Sequence, residues 1–238
     1  MIITDFTTLT FDCYGTLIDW ERGIAEALAP WTRRHGQDFT DEEIIAAFGA
    51  CETAQQSANP TMPYPEILAA VMRDLAGRWD IPVSDAEAAG FGASVKDWPA
   101  FPDSVEALAY LKRHFKLVIV SNVDRASFAH SNKRLGVTFD AVITAEDVGR
   151  YKPDPGNFAY MLDVLAGMGV TKDDILHTAQ SLYHDMVPAQ AMGLATLWVN
   201  RRKGGDGWGA TPPPAAPVTP DFEVASMAEL VALHRAAI

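Results

Sequence analysis

The stretch FDCYGTLID at residues 11–19 decides the fold, because a strand candidate ends there in an acidic side chain. The segment TTLTFD at residues 7–12 predicts the first strand, and Gly15 permits a tight turn after it. A long helix-rich stretch comes next, and strand patterns return only after about residue 98. The first strand therefore belongs with the later part of the chain.

The later part of the chain alternates helices with short apolar strands. Strands are predicted at residues 116–122, 140–144, 175–179 and 195–200, with FEVA at 222–225 as a last candidate. Helices are predicted at residues 103–113, 157–168 and 185–192, and Ser226 is placed to cap a terminal helix. Continuous apolar strands between helices are typical of a parallel sheet covered on both faces. The predicted fold class is α/β, a Rossmann-like doubly wound parallel sheet.

The helix-rich stretch is predicted to be an insertion after the first strand. Apolar residues at helical spacing precede Gly36, Thr40 and Glu43 form a capping box, and Ser84 can cap a further short helix. We expect residues 1–17 and 97–238 to form the sheet-containing core and residues 18–96 an inserted helical subdomain. The Gly- and Pro-rich segment at residues 204–220 is predicted to be an irregular loop.

Composition limits the partners and the compartment. The 238 residues are 48% hydrophobic and carry a formal net charge of -12, which disfavours nucleic acid and anionic membranes. The two cysteines make no disulfide framework, and neither a signal peptide nor an apolar run near the roughly 20 residues of a membrane span is visible. We expect a cytoplasmic protein that acts on a small anionic organic substrate. The oligomeric state is left open, with a homodimer as the candidate.

Polar side chains lie after four of the predicted strands. In open parallel sheets the chemistry lies beyond the carboxyl ends of the strands. That rule selects four places in this chain, which are Asp12 to Thr16, Ser121 with Asn122, the loop around Lys152, and Gln180 to Asp185. These four groups are predicted to meet at one edge of the sheet.

The residue types at these places suggest nucleophilic catalysis. A carboxylate such as Asp12 can attack carbon or phosphorus to form an ester or acyl phosphate, which water then hydrolyses. Lys152 would keep Asp12 ionised, and Ser121 can hold an oxygen of the substrate. Thr16 can orient Asp12, and the amides around Gly15 can form an anion site. Each residue also has a plainer interpretation, as a turn cap, a helix cap or a surface lysine.

Four segments together resemble the motifs of the haloacid dehalogenase superfamily. They are FDCYGTLID at 11–19, VSNVD at 120–124, YKPDPGNF at 151–158 and AQSLYHDMVPAQAMGLATLWVNR at 179–201. They occur in that superfamily's order, and the helical insertion matches its cap domain. The resemblance implies a hydrolase with Asp12 as the nucleophile and a covalent aspartyl-ester intermediate. It also implies that Asp185 either holds Lys152 or shares a Mg²⁺ ion with Asp12.

The first motif resembles that of the L-2-haloacid dehalogenases. Phosphatases of the superfamily carry a second aspartate as general acid where this chain has Tyr14. A halide leaves without a proton, so the absence of this acid is chemically sensible. The resemblance implies halide removal from a short 2-haloacid without a cofactor. Asp12, Thr16, Ser121, Lys152 and Asp185 would be catalytic.

We expect Tyr14, Asn122 and Ser181 to bind the substrate. The chain also departs from the dehalogenase pattern at three positions, which are Gln180, Leu182 and Phe158. In addition, the helix around Cys51 lacks the arginine that helps to cradle the halide in that branch.

Two alternatives remain. A phosphatase would bind Mg²⁺ through Asp12, the Tyr14 carbonyl and Asp185, with His184 as a substitute acid. A non-catalytic homologue would bind a ligand with Asp12 inert.

Overall fold

A six-stranded parallel sheet forms the centre of the protein. The computed structural model describes residues 1–205 and 207–238. Within that part of the chain the strands lie in the order β3-β2-β1-β4-β5-β6, and every neighbouring pair is parallel. Their bounds are β1 Thr8–Phe11, β2 Lys116–Ser121, β3 Ala141–Thr144, β4 Ile175–Ala179, β5 Ala195–Val199 and β6 Phe222–Val224. The predicted α/β fold class is confirmed.

Helices cover both faces of this sheet. Their bounds in the sheet-containing part are α5 Ser104–Leu111, α6 Arg125–Leu135, α7 Ala145–Val148, α8 Gly156–Gly167, α9 Val187–Ala191 and α10 Met227–Arg235. Leu117 and Ile119 point to one face of β2 and pack in the larger apolar cluster, whereas Val118 and Val120 pack with Phe158 of α8 on the other. This two-sided burial explains why the strands read as continuous apolar runs.

Four helices between β1 and α5 form a helical block, which we define as residues 20–92. Its members are α1 Trp20–Arg34, α2 Asp41–Ala58, α3 Tyr64–Trp79 and α4 Asp85–Gly92. Thr40 and Ser84 accept hydrogen bonds from the backbone amides of Glu43 and Glu87, so both predicted caps are confirmed. Most buried apolar side chains of the block belong to the same apolar cluster as one face of the sheet.

The topology places a crevice at the end of β1. From the centre of the sheet, β1, β2 and β3 follow one another toward one edge. The chain then crosses back, so that β4 lies on the other side of β1. Such a reversal opens a crevice beyond the carboxyl ends of the two strands at the switch point, here β1 and β4. Asp12 comes directly after β1, and its backbone amide donates to the Thr178 carbonyl at 3.1 Å.

The segment around Asp185 differs from the prediction. The sequence predicts a helix that begins at Asp185, but residues Leu182–Met186 form a π-helical turn and α9 begins only at Val187. Pro188 favours a helix start here, because it has no amide hydrogen and is tolerated in the first helical turn. Asp185 is therefore held within the π-helical turn and does not cap a helix.

Two further findings concern the rest of the chain. Residues 207–220 are irregular as expected, and position 206 of the predicted loop lies outside the described residues. In the ranges 1–205 and 207–238, no helix combines the length and the apolarity needed to cross a membrane.

Candidate active site

Asp12 is a buried carboxylate at the centre of the crevice. Its residue is 6% exposed, so its side chain is largely removed from solvent. Thr16 Oγ1 donates a hydrogen bond to Asp12 Oδ2 at 2.8 Å and accepts one from the Gln180 amide at 2.9 Å. The turn after β1 thus brings a hydroxyl back onto the carboxylate that precedes it. Thr16 is held between two motifs in a position that orients Asp12.

Lys152 bridges two carboxylates. Its Nζ donates to Asp12 Oδ1 at 2.9 Å and to Asp185 Oδ1 at 2.7 Å. A third hydrogen bond of 2.9 Å goes to the Val120 carbonyl. Because an ammonium group has three donors, these partners satisfy all of them. The structure brings together the three charged residues that the sequence placed at separate strand ends.

Asn122 fixes the loop that carries Lys152. Its Oδ1 accepts a hydrogen bond from the Lys152 amide at 2.7 Å, and its Nδ2 donates to the Lys152 carbonyl at 3.0 Å. The side chain of Asn122 therefore clamps both polar groups of one backbone residue. The sequence did not indicate this contact, because it suggested that Asn122 either binds substrate or caps the next helix. One hydrogen of the Asn122 amide remains for a ligand.

His177 supports Asp185 from within the sheet and was missed in the sequence. Its Nε2 lies 3.0 Å from Asp185 Oδ1, and its Nδ1 lies 2.8 Å from Thr10 Oγ1. Because an ionised carboxylate only accepts, Nε2 carries a hydrogen toward Asp185, while Nδ1 and the Thr10 hydroxyl share the other hydrogen bond. Thr10 and His177 are register partners on β1 and β4. The sequence feature that could have identified His177 is a histidine inside the otherwise apolar strand ILHTA at residues 175–179.

The two carboxylates that share the ammonium differ in the direction of their pKa shifts. Burial raises the pKa of Asp12 above its ordinary value, against the opposing effect of Lys152. Burial would also raise the pKa of Asp185, but Lys152 and the hydrogen bond from His177 outweigh it and lower that pKa. Burial lowers the pKa of Lys152, yet the two carboxylates overcome this and raise it. Asp12 is consequently the more basic of two carboxylates that face a charged ammonium.

A cavity of about 40 Å³ lies between the sheet edge and the helical block. Asp12, Asn122, Lys152 and Asp185 line its sheet side. An adjoining cleft of about 320 Å³ shares Lys152 and His184 with it and reaches Arg150. The cavity itself has room for one or a few water molecules only, whereas the adjoining cleft is several times larger.

The helical block supplies the opposite wall of this cavity. The wall residues are Trp20, Glu52, Gln56 and Tyr64. Neither Glu52 nor Gln56 stands in a motif of the sequence. Glu52 is 4% exposed, and the Tyr64 hydroxyl donates to its Oε1 at 2.7 Å. No motif marks these positions, because which helix face meets Asp12 depends on how the block packs.

The other predicted residues occupy varied positions. Tyr14 and Ser181 line the cavity, with the Tyr14 hydroxyl 2.8 Å from Ser131 Oγ and Ser181 Oγ accepting from the His184 amide at 2.8 Å. Ser121 is 2% exposed, and its hydroxyl has no hydrogen-bond partner among the described residues. Ser121 is not one of the described residues that line the cavity. The Gly15 amide donates to the Ile18 carbonyl, so the turn itself uses that donor.

Two further residues bear on the sequence-based expectations. Burial lowers the pKa of His184 to about 4, so this imidazole is neutral at neutral pH and holds no proton for a leaving group. Phe158 packs with its ring edge toward His177, their ring centroids 5.0 Å apart. Phe158, one of the three departures from the dehalogenase pattern, thus takes part in apolar packing.

The donor set does not fit a divalent ion between Asp12 and Asp185. Both oxygens of Asp12 and one oxygen of Asp185 accept hydrogen bonds from the protein, while Asp185 Oδ2 is buried without a partner among the described residues. The ammonium of Lys152 fills the space between the carboxylates. Across residues 1–205 and 207–238, no group of three histidine, cysteine, aspartate or glutamate side chains is arranged to hold a metal ion.

Comparison with protein families gives one match over most of the chain. The model of the haloacid dehalogenase-like hydrolases matches residues 6–193. A mouse protein, haloacid dehalogenase-like hydrolase domain-containing protein 3, is 30% identical over 207 residues, which cover 80% of each chain. The validoxylamine A 7'-phosphate phosphatase of Streptomyces hygroscopicus subsp. limoneus is 30% identical over 155 residues, 63% of this chain and 66% of the relative.

Solved structures show the same fold at lower identity. The L-2-haloacid dehalogenase from Xanthobacter autotrophicus superposes with a TM-score of 0.79 at 20% identity. The similarity covers 98% of this chain and 100% of that one. At this identity the agreement concerns the arrangement of the backbone, so the chemistry has to be argued from the side chains described above.

Proposed function

Because the chain belongs to the haloacid dehalogenase-like hydrolases, we propose that it removes halide from a short 2-haloacid through an ester of Asp12. The observation that carries this proposal is Lys152 Nζ, which contacts both Asp12 and Asp185 in a buried site. An ammonium in that position supplies the positive charge that a phosphatase would obtain from Mg²⁺. On this proposal the site works without a metal ion.

The first step is a displacement at carbon. An oxygen of Asp12 attacks C2 of the substrate, the new C–O bond forms, and the carbon–halogen bond breaks with its electron pair leaving on the halide. Thr16 and Lys152 fix the direction of the carboxylate. No proton is needed for the leaving group, which agrees with a tyrosine at position 14 and with a neutral His184.

The second step hydrolyses the ester. Water attacks the carbonyl carbon of the Asp12 ester, and the bond from that carbon to the substrate oxygen breaks. The 2-hydroxy acid is released with a proton from water, and Asp12 regains its carboxylate with one oxygen from solvent. Lys152 compensates the negative charge that develops on the Asp12 oxygen. The net change consumes one water and releases one halide and one proton.

The substrate is placed by the walls of the cavity. The remaining amide hydrogen of Asn122 and the hydroxyl of Ser181 lie on the sheet side, where a carboxylate next to C2 would bind. We further propose that residues 18–96 act as a cap, which opens about hinges near Ile18 and Trp98 to admit the substrate. The cavity volume of about 40 Å³ supports this requirement for opening.

A single-turnover experiment in H₂¹⁸O tests the covalent mechanism. Excess protein with L-2-chloropropionate and EDTA is expected to release chloride and to place solvent oxygen in the peptide that contains Asp12, as detected by mass spectrometry. The Asp12→Asn variant should lose turnover by roughly 10³-fold or more. Asp163→Asn, on an exposed face of α8, is the matched control and should keep activity.

Two outcomes would contradict the proposal. Label found in the product and not in Asp12 would show direct attack of water on C2. Chloride release that stops with EDTA would contradict the metal-free site. Mg²⁺-dependent cleavage of p-nitrophenyl phosphate without chloride release would favour the phosphatase.

A further inference from the structure

The cap-side wall of the cavity contains an acidic group that the proposed reaction does not use. Glu52 lies on α2, is 4% exposed and lines the same cavity as Asp12. Burying a carboxyl group is costly unless it meets a hydrogen-bonding partner. Tyr64, itself 2% exposed, donates to Glu52 Oε1 and holds the carboxyl in one orientation. Gln56, one turn further along α2, lines the cavity beside it.

The charges around the cavity do not favour a second anionic group of a substrate. Lys152 is the only cationic side chain among the described residues that line the cavity, and its three donors are already bound to Asp12, Asp185 and Val120. His184 is neutral at neutral pH. An anionic group placed near Glu52 would therefore meet a carboxyl and no available cation.

We propose that Glu52 is the specificity-determining residue of this site, and that it selects substrates with a hydrogen-bond-donating group, above all an ammonium group, at the end remote from Asp12. The inference rests on the proposed function and refines its substrate class to zwitterionic 2-haloacids. The carboxylate and C2 of such a molecule lie on the sheet side, and its ammonium group lies between Glu52 and Gln56. A zwitterion also suits a cavity whose lining carries more acidic than basic side chains.

The preference depends on pH through Glu52. Burial raises the pKa of Glu52 to about 7, with the Tyr64 hydrogen bond opposing this rise. Glu52 is thus charged above neutral pH, where it attracts an ammonium group, and protonated below it, where that attraction is lost. The titratable groups that face Glu52 or share its cavity are Tyr14, Tyr64, Tyr151, Asp12, Lys152, His184 and Asp185.

None of these other groups produces a similar pH dependence of the substrate preference near neutral pH. Burial raises the pKa values of the Tyr14, Tyr64 and Tyr151 hydroxyls, which keeps them neutral, and the pKa of His184 lies near 4. Asp12, Lys152 and Asp185 act on every substrate alike, so their effects cancel in a ratio of two substrates.

The test uses two isosteric substrates. They are 4-amino-2-chlorobutanoate and 2-chloropentanoate, which differ by an ammonium in place of a methyl group. Wild type should prefer the amino compound by about 10-fold or more in kcat/KM at pH 8, because only that compound satisfies the Glu52 carboxylate. The ratio should fall as the pH drops below about 7, because Glu52 is then protonated. Chloride release without enzyme gives the background.

Variants separate the side chain from its surroundings. Glu52→Gln should abolish the preference and its pH dependence, and Tyr64→Phe should weaken the preference without removing its pH dependence. Glu66→Gln removes a carboxyl from an exposed position on α3 and should leave the ratio unchanged. A wild-type ratio near one at pH 8, or an undiminished ratio in Glu52→Gln, would overturn the inference.

A binding measurement keeps the inference independent of the reaction. Calorimetry with 4-aminobutanoate and pentanoate requires no halide chemistry, and wild type should bind the former more tightly at pH 8 than at pH 6. If neither chlorinated substrate reacts but 4-aminobutanoate binds more tightly than pentanoate at pH 8, the proposed function fails and the assignment of Glu52 stands. Equal binding of the two carboxylates would reject the role of Glu52 whether or not chloride is released. Should Glu52→Gln fail to fold, the wild-type pH dependence still decides.

Discussion

At the scale of single residues, the site depends on one ammonium shared by two carboxylates. Lys152 has a side chain 1% exposed, so its charge is tolerated only because Asp12 and Asp185 neutralise it and the Val120 carbonyl accepts its third hydrogen bond. His177 adds a second donor to Asp185, which fixes that carboxylate in turn. The geometry leaves Asp12 as the more basic carboxylate next to the cavity.

Removing the shared ammonium should destabilise the protein strongly. Lys152→Met leaves two buried carboxylates facing each other without a counterion, and we expect a loss of about 3–5 kcal/mol in the free energy of unfolding, measured with urea. The double variant Lys152→Met/Asp185→Asn removes the repulsion and should recover part of this loss. Lys133→Met, on the exposed face of α6, should change stability by no more than about 0.5 kcal/mol. If the double variant loses as much free energy of unfolding as the single variants Lys152→Met and Asp185→Asn lose together, the charges of Lys152 and Asp185 are not coupled.

At the scale of elements, close packing joins α2 to the segment after β5. A Cβ placed on Gly49 of α2 would clash with the backbone carbonyl of Ala210, whereas a Cβ on Gly77 of α3 would meet nothing within 4 Å. Both glycines lie inside helices, where glycine is unfavourable by roughly 1 kcal/mol relative to alanine. Gly49 is therefore retained for the close approach of two backbones.

These two glycines give a matched pair of substitutions. Gly77→Ala should stabilise the protein by about 0.5–1 kcal/mol, because it lowers the entropy of the unfolded chain without a clash. Gly49→Ala should destabilise it by about 1–3 kcal/mol, because α2 or the segment at Ala210 has to move. Urea denaturation of both variants measures the difference. Equal effects of the two substitutions would mean that the contact with Ala210 is loose.

At the scale of the whole molecule, ion pairs connect the helical block with the sheet-containing part. Arg202, which lies after β5, contacts Glu21 of α1 at 2.6 Å and Glu42 of α2 at 2.7 Å. The Ala210 amide donates to Glu21 as well. The Tyr151 hydroxyl donates to the Met62 carbonyl at 2.6 Å on another side of the block. These contacts keep the wall that carries Glu52 over Asp12.

Breaking the Arg202 contacts should make the block open more often. In Arg202→Ala we expect amides of α1 and α2 to exchange hydrogen several-fold faster, which corresponds to about 1 kcal/mol, while the central strands stay protected. Arg73→Ala breaks the Arg73–Asp85 pair, which lies within the block, and serves as the control. Hydrogen exchange with mass spectrometry compares the variants. Equal exchange in both would show that Arg202 does not hold the block closed.

The sequence by itself determined the sheet, most helices and the residues at the strand ends. Apolar runs bounded by helical patterns predicted the strands, with β4 matched at Ile175–Ala179, and local hydrogen bonding accounts for the caps at Thr40 and Ser84. Parallel strands end at one edge, so Asp12, Lys152 and Asp185 were expected to meet there, and they do. Local periodicity carries this information because each strand or helix repeats with a fixed spacing.

Only the tertiary structure decided what faces these residues. The clamp of Asn122 on Lys152, the link from Thr10 through His177 to Asp185, and the Glu52–Tyr64 pair all join residues that are not neighbours in the chain. Whether a buried polar side chain finds a partner depends on how the helical block and the sheet pack, and no local pattern records that. For the same physical reason the local pattern predicts a helix start at Asp185, where the packed chain forms a π-helical turn.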